Sequence, residues 1–407
     1  MAGPPPPDRA AVPEGARRAL ALLIVLRVAY AYNWFDVGPA LPALGQELAI
    51  GPAEWGVLLA AFLAGAGLLQ VPAGLLASRY GPRPIALLGV TVLGGAGLAA
   101  AAAPSFALLV ALRAVAGAGA GLFFAPAIGL VAALRPPGRR GIAVGTFSSA
   151  FSLGAAIGVF ATAVLVPAVG WRTALATGGL LLLGATAIAV PWVPRSAAPP
   201  AGARRPPLSS PALRSPAVWA MGFAFVGLEG ASLSAGQYFV PFAEAVRGWS
   251  PALAGGVASL FVFPSLFGGP VGGALTERSV HRRSQMAVAT AIGGLLLFLV
   301  PYAGLVAVAA IATVFAFSYG ATYAMMYVLA PYLPGLPASD VPLAIGLFNA
   351  IQIGGGSLVS LAAGVLIAGP GYTAAWLALG AATLLPLVLL AALPRTRPGP
   401  VPGAAGL

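Results

Sequence analysis

The chain has 407 residues, of which 59% are hydrophobic and only 7% charged, with a formal net charge of +12. Water-soluble proteins carry about 25% charged residues, so an ordinary wet surface is excluded. With no Cys and a single His, disulfides, thiolate chemistry and clustered metal ligands are excluded too, and no metal or other cofactor is expected.

Residues 1–17 form a Pro-rich polar tail, expected to be disordered. Apolar runs of about 20 residues then recur, the length a helix needs to cross a bilayer. They read as twelve spans: 18–42, 53–77, 84–103, 105–133, 141–167, 172–193, 217–243, 251–275, 285–302, 304–330, 342–367 and 372–393. A Pro- and Arg-rich linker, 194–215, separates an N-terminal half (18–193) from a C-terminal half (216–393), and a tail (394–407) follows. An N-terminus on the inside puts 17 Arg in the tails and even-numbered loops and only Arg172 and Arg247 on the other side. By the positive-inside rule both termini are then cytoplasmic in a multi-pass protein of the cell membrane. The basic residues lie in short loops without aromatic interleaving, so no nucleic-acid partner is expected.

The two halves repeat. Shifting by 199 residues aligns Gly74 with Gly273, Arg79 with Arg278, Arg83 with Arg282, Pro52 with Pro251 and Gly56 with Gly255. An offset of 201 aligns Ala143, Gly145, Phe147 and Gly154 with Ala344, Gly346, Phe348 and Gly355. Internal repeats of this kind characterise secondary transporters. The turn after span two, Gly74 to Pro84, resembles the loop signature of the major facilitator superfamily. Gly74, Arg79, Gly81 and Arg83 match it, Ser78 stands where an acid is expected, and Pro82 where an Arg is usual. The second copy keeps an acid, Glu277, beside Arg278. Arg113 with Gly117 and Gly119 resembles the fourth-span signature, and Asp36 with Pro42 the end of span one. The resemblance covers essentially the whole chain. It implies an all-α fold of two six-helix bundles around a central cavity. It also implies transport by rocker-switch alternating access, with the arginine-bearing turns Gly74–Arg83 and Glu277–Arg278 as cytoplasmic gate.

Four charged residues lie well inside apolar spans: Arg27, Asp36, Arg113 and Glu229. Each costs at least about 2.5 kcal/mol facing lipid, so each should meet a partner or a wet cavity. At about 1.5 Å per residue, Arg27 and Glu229 fall near mid-membrane, while Asp36 and Arg113 share a depth nearer the outer end. Arg27 and Asp36 are nine residues apart and fall on opposite helix faces. Arg27, with Tyr30 and Trp34 on its stripe, is expected to face the cavity. Asp36 is expected to pair with Arg113 as the proton-coupling acid, a role that some relatives imply. A cavity guanidinium attracts carboxylate or phosphate; alternatively, Glu229 neutralises Arg27 across the halves. Tyr319, Tyr323 and Tyr327 of span ten and Asn349 and Gln352 of span eleven fall on helical stripes that either line the cavity or pack as core.

The expected function is secondary active transport of a small solute, coupled to protons, by a monomer in the lipid bilayer. It leans to uptake or exchange of a small organic anion. Proton-coupled efflux of amphiphilic compounds is the alternative, and a non-transporting receptor the remote one. No nucleophile–His pair, metal cluster or paired carboxylates support an enzyme.

Overall fold

The computed structural model describes residues 14–136, 139–194, 210–278, 281–330, 333, 335–337 and 340–392. The expected N-terminal tail (but for Glu14–Arg17), most of the linker and the C-terminal tail lie outside them. Among the described residues the regular structure is helical throughout.

Helix α1 (Glu14–Phe35) ends at Asp36, and a 3-10 turn, Gly38–Ala40, leads into α2 (Leu41–Leu48). Three helices follow: α3 (Pro52–Tyr80), α4 (Pro82–Ala100) and α5 (Phe106–Ala133). The 50-residue α6 (Arg140–Ala189) turns back at Gly170, whose φ of 79° suits a residue without Cβ. Gly158 and Gly178, before and after that turn, both pack on Tyr32 of α1, so α6 is a helical hairpin. The short α7 (Pro211–Arg214) and the long α8 (Pro216–Arg247) open the second half. Then come α9 (Pro251–Ser259), α10 (Ser265–Arg278), α11 (Arg282–Leu297), α12 (Leu305–Leu329), α13 (Val341–Ala368) and α14 (Tyr372–Ala392). Pro52, Pro82, Pro216 and Pro251 each begin a helix, where the missing N–H leaves nothing unpaired.

Nine of the described helices are long and apolar enough to cross a membrane. The hairpin α6 supplies two crossings, the α9–α10 pair one and α14 another, which is consistent with twelve. The expected continuous span 251–275 is not continuous: the helix breaks between Ser259 and Ser265. Pro264 causes this, since it has no N–H to donate and disfavours helical backbone at Phe263.

The halves meet along two seams made of small residues. On α3, Gly56 packs on Leu361 and Gly364 of α13, and Gly67 packs on Gly354 and Ala350. On the other seam, Gly255 of α9 packs on Ala163 of α6, and Ser265 of α10 meets Ser152 of α6 at 2.7 Å. Both seams close the side opposite the arginine-rich loops. There Gly38 also packs on Gln237 of α8, where an added Cβ would lie 2.6 Å from its backbone. Gly74 shares a helix face with Gly56 and Gly67, and Gly145 shares one with Ser152, by the 3.6-residue period. Among the described residues, and beyond its own stretch of helix, neither Gly74 nor Gly145 has an atom within 4 Å of its Cβ position. The halves therefore part toward the arginine-rich side.

Within the first half, a Cβ on Gly117 of α5 would lie 1.9 Å from the Phe62 carbonyl of α3. Gly117→Ala should destabilise the protein by about 1–3 kcal/mol, because a backbone carbonyl cannot yield cheaply. Gly145→Ala, with open space around it, should be neutral or stabilising by at most ~1 kcal/mol. Thermal melts of the purified variants separate the two; equal melts would contradict the close approach of α3 and α5.

Candidate substrate site

Arg27 sits on α1 among rings. Its guanidinium carbon lies 4.7 Å from the Tyr30 ring centroid, 4.6 Å from Phe124, 5.4 Å from Phe147 and 4.8 Å from Phe151. The residue is only 6% exposed, and its Nε and Nη1 have no hydrogen-bond partner. Among the described residues no carboxylate lies within 4 Å, so Glu229 does not neutralise it by an ion pair. Cation–π attraction, about 0.5–2 kcal/mol per ring, is what holds the cation there. Buried polar atoms without partners are rare in native proteins, and each calls for an explanation such as strain, a functional role or a bound water or ion.

The neighbours on its stripe behave differently. The Tyr30 hydroxyl donates to the Ala120 carbonyl at 3.2 Å, so Tyr30 is anchored and presents a ring rather than a hydroxyl. Trp34 packs edge-on against Phe62 and Phe151, with centroids 5.0 and 5.5 Å away, and its Nε1–H has no acceptor. Phe124 and Phe151 are absent from the sequence expectations. Phe147 and Phe151 stand four apart on one helix face, a spacing that marks a shared aromatic patch.

The opposing wall comes from the second half. The Tyr319 hydroxyl donates to Glu229 Oε2 at 2.6 Å. Tyr323, Tyr327 and Gln352 Nε2 all donate to Asn349 Oδ1, at 3.0, 3.0 and 2.8 Å. The three tyrosines stack along α12 with centroids 5.7 and 4.9 Å apart. The tyrosine row thus runs along α12 from Glu229 to Asn349. Gln352 Oε1 is buried with no donor.

Asp36 and Arg113 lie together, as expected, with Oδ1 and Nη1 3.5 Å apart and both side chains buried. Arg113 also donates to the Asn33 carbonyl at 3.5 Å and stacks over Phe62 at 4.3 Å. Asp36 thus meets Arg113 of α5, while Arg27 lies among Phe124 of α5 and Phe147 and Phe151 of α6.

At the arginine-rich turn, Arg83 donates to the Val190 carbonyl at 2.7 Å, satisfying a free carbonyl at the end of α6. Arg79 lies over Tyr80, and Ser78 donates to its own helix at the Leu75 carbonyl. Gly81 takes φ 88° between α3 and α4. The side chains of Glu277 and Arg278 lie outside the described residues. On the opposite rim, Arg172 and Trp171 both donate to Glu47, bracing the turn at Gly170 against α2.

The sequence profile of the Major Facilitator Superfamily matches residues 23–336. The chain is similar to a 4-hydroxybenzoate transporter of Pseudomonas putida, 30% identical over 161 residues, 40% of this chain. That match spans only 36% of the relative. It is also similar to a probable nitrate/nitrite transporter of Mycobacterium tuberculosis, 27% identical over 67% of this chain and 70% of that one. A gallate transporter of Pseudomonas putida is 28% identical over 40% of this chain and 36% of its own length. In three dimensions the chain resembles a bacterial homolog of the human lysosomal transporter Spinster, in an inward-facing and occupied conformation. The TM-score is 0.72 at 18% identity, over 94% of this chain and 98% of that one.

The Asp36–Arg113 pair generates a prediction. Arg113→Leu strands a buried carboxylate and should cost about 3–5 kcal/mol. Adding Asp36→Asn should recover more than half of that loss in a thermal melt. Additive losses would mean that the two groups are not coupled.

Proposed function

Because the chain belongs to the Major Facilitator Superfamily, and so is a multi-pass membrane transporter rather than an enzyme, we propose that it carries a small organic anion by alternating access, with Arg27 as the anchor. The observation that carries this reading is the buried, ring-enclosed guanidinium without a carboxylate beside it. An anionic group entering between the halves supplies the missing partner, and a planar anion can take both nitrogens of the fork. Trp34, Phe124 and Phe151 add flat apolar surface for an organic body. Similarity to carriers of 4-hydroxybenzoate, gallate and nitrate/nitrite, all anions, favours the same chemistry.

In this proposal the arginine-rich loops and both termini are cytoplasmic, in the cell membrane of a monomer. The parted side is then the inward one. The seams at Gly67 with Gly354 and at Ser152 with Ser265 close the outward path, and rocking about the site opens them in turn. Coupling to protons runs through Asp36, whose hold on Arg113 is broken by protonation. Gly74, Arg79, Gly81, Arg83, Glu277 and Arg278 form the cytoplasmic gate when that side closes. Glu229, which among the described residues has no cation within 4 Å, favours a second reading, efflux of amphiphilic cations.

Thermal-shift assays on purified protein decide between them. Benzoate should raise the melting temperature of the wild type and leave Arg27→Ala, folded without ligand, unchanged. Stabilisation by cationic amphiphiles that persists in Arg27→Ala would overturn anion transport in favour of efflux. The orientation has its own test, made simple by the absence of native Cys. A membrane-impermeant maleimide should label Ala102→Cys in intact cells and Arg139→Cys only after lysis. The reverse pattern would invert the proposed topology.

A further inference from the structure

The geometry points to Glu229, held by Tyr319, as the residue that reads the far end of the ligand, selecting anions with a hydrogen-bond donor at the end remote from the charge. This deepens the reading of Arg27 as anion anchor and rests on it. Among the described residues Tyr319 is the hydrogen-bond partner of Glu229, and it occupies Oε2 alone. The side chain is 5% exposed and has no cation within 4 Å. A carboxylate so buried and so poorly paired is costly unless a donor reaches it.

Its placement relative to Arg27 sets what that donor belongs to. Arg27 lies on α1 of the first half and Glu229 on α8 of the second. The tyrosine row starts at Glu229, where Tyr319 donates to the carboxylate, and continues through Tyr323 to Tyr327. Tyr319 and Tyr323 are one helical turn apart, about 6 Å along the axis. In this proposal one six-membered ring bridges the guanidinium end and the carboxylate end. Among the described residues Tyr319 is the polar side chain bonded to Glu229, and no cation lies within 4 Å of it. The ligand class is a ring-sized monoanion with a hydroxyl or amine opposite its carboxylate. A second carboxylate in that place meets Glu229 with like charge and is rejected.

Isothermal titration of the full-length protein with four probes tests this: benzoate, 4-hydroxybenzoate, 4-methoxybenzoate and terephthalate. A hydrogen bond to a charged acceptor predicts 4-hydroxybenzoate binding roughly 10–100-fold tighter than 4-methoxybenzoate. Terephthalate should bind at least ~10-fold more weakly than benzoate. In Glu229→Ala both differences should shrink to within about threefold. Glu229→Gln, which keeps the shape and an acceptor, should admit terephthalate yet retain part of the hydroxyl preference, and it serves if the Ala variant does not fold. A wild type without preference, or a preference that survives Glu229→Ala, would overturn the role of Glu229 while leaving benzoate binding through Arg27 intact. Benzoate binding that is absent, or indifferent to Arg27→Ala, would instead remove the anion reading and this inference together.

Discussion

A charge in hydrocarbon costs at least about 2.5 kcal/mol, and every feature of the interior answers that cost in one of three ways. Asp36 and Arg113 answer it by pairing at 3.5 Å. Glu229 answers it in part, by accepting from Tyr319. Arg27 answers it with four aromatic faces and, among the described residues, no carboxylate within 4 Å. The first sets opposite charges beside each other, although Arg113 Nε and Nη2 still lack hydrogen-bond partners, whereas Arg27 and Glu229 have no counter-charge within 4 Å among the described residues. All four side chains are buried.

The same solvent forces the backbone into helices, since no water is there to take up free N–H and C=O groups. With no hydrophobic drive between helices in lipid, close approach depends on small residues. The chain uses them where its halves touch. Gly56 and Gly67 let α3 lie against α13, and Gly255 lets α9 lie against α6. Contacts of this kind have no long side chains to disentangle, so they can part and re-form. The break between Ser259 and Ser265 places Ser265 against Ser152 at the middle of one seam. The other seam, between two continuous helices, has no such kink.

Much of this arrangement was legible in the chain. The apolar runs announced the spans, because a bilayer sets their length. The 199-residue repeat paired Gly56 with Gly255, and these prove to be equivalent points on the two seams. Nine residues of helix placed Arg27 and Asp36 on opposite faces, which is why Asp36 reaches Arg113. The local chemistry of Pro264 was also present in the chain, yet span eight read as continuous. Pro72, Pro126, Pro241 and Pro386 all sit inside unbroken helices. Whether a proline breaks a helix in a membrane depends on what its neighbours offer the freed carbonyl.

By itself the sequence determined that the chain crosses a membrane many times, that its halves repeat and which charges are costly, since hydropathy, the alignment of the chain with itself and helical period carry these. Only the tertiary structure decided which charge meets which. Arg27 is enclosed by Phe124 and Phe151 from α5 and α6, and Glu229 by Tyr319 from α12. Those partners lie about 90 to 125 residues away, and no local pattern encodes a contact made by packing one helix against another.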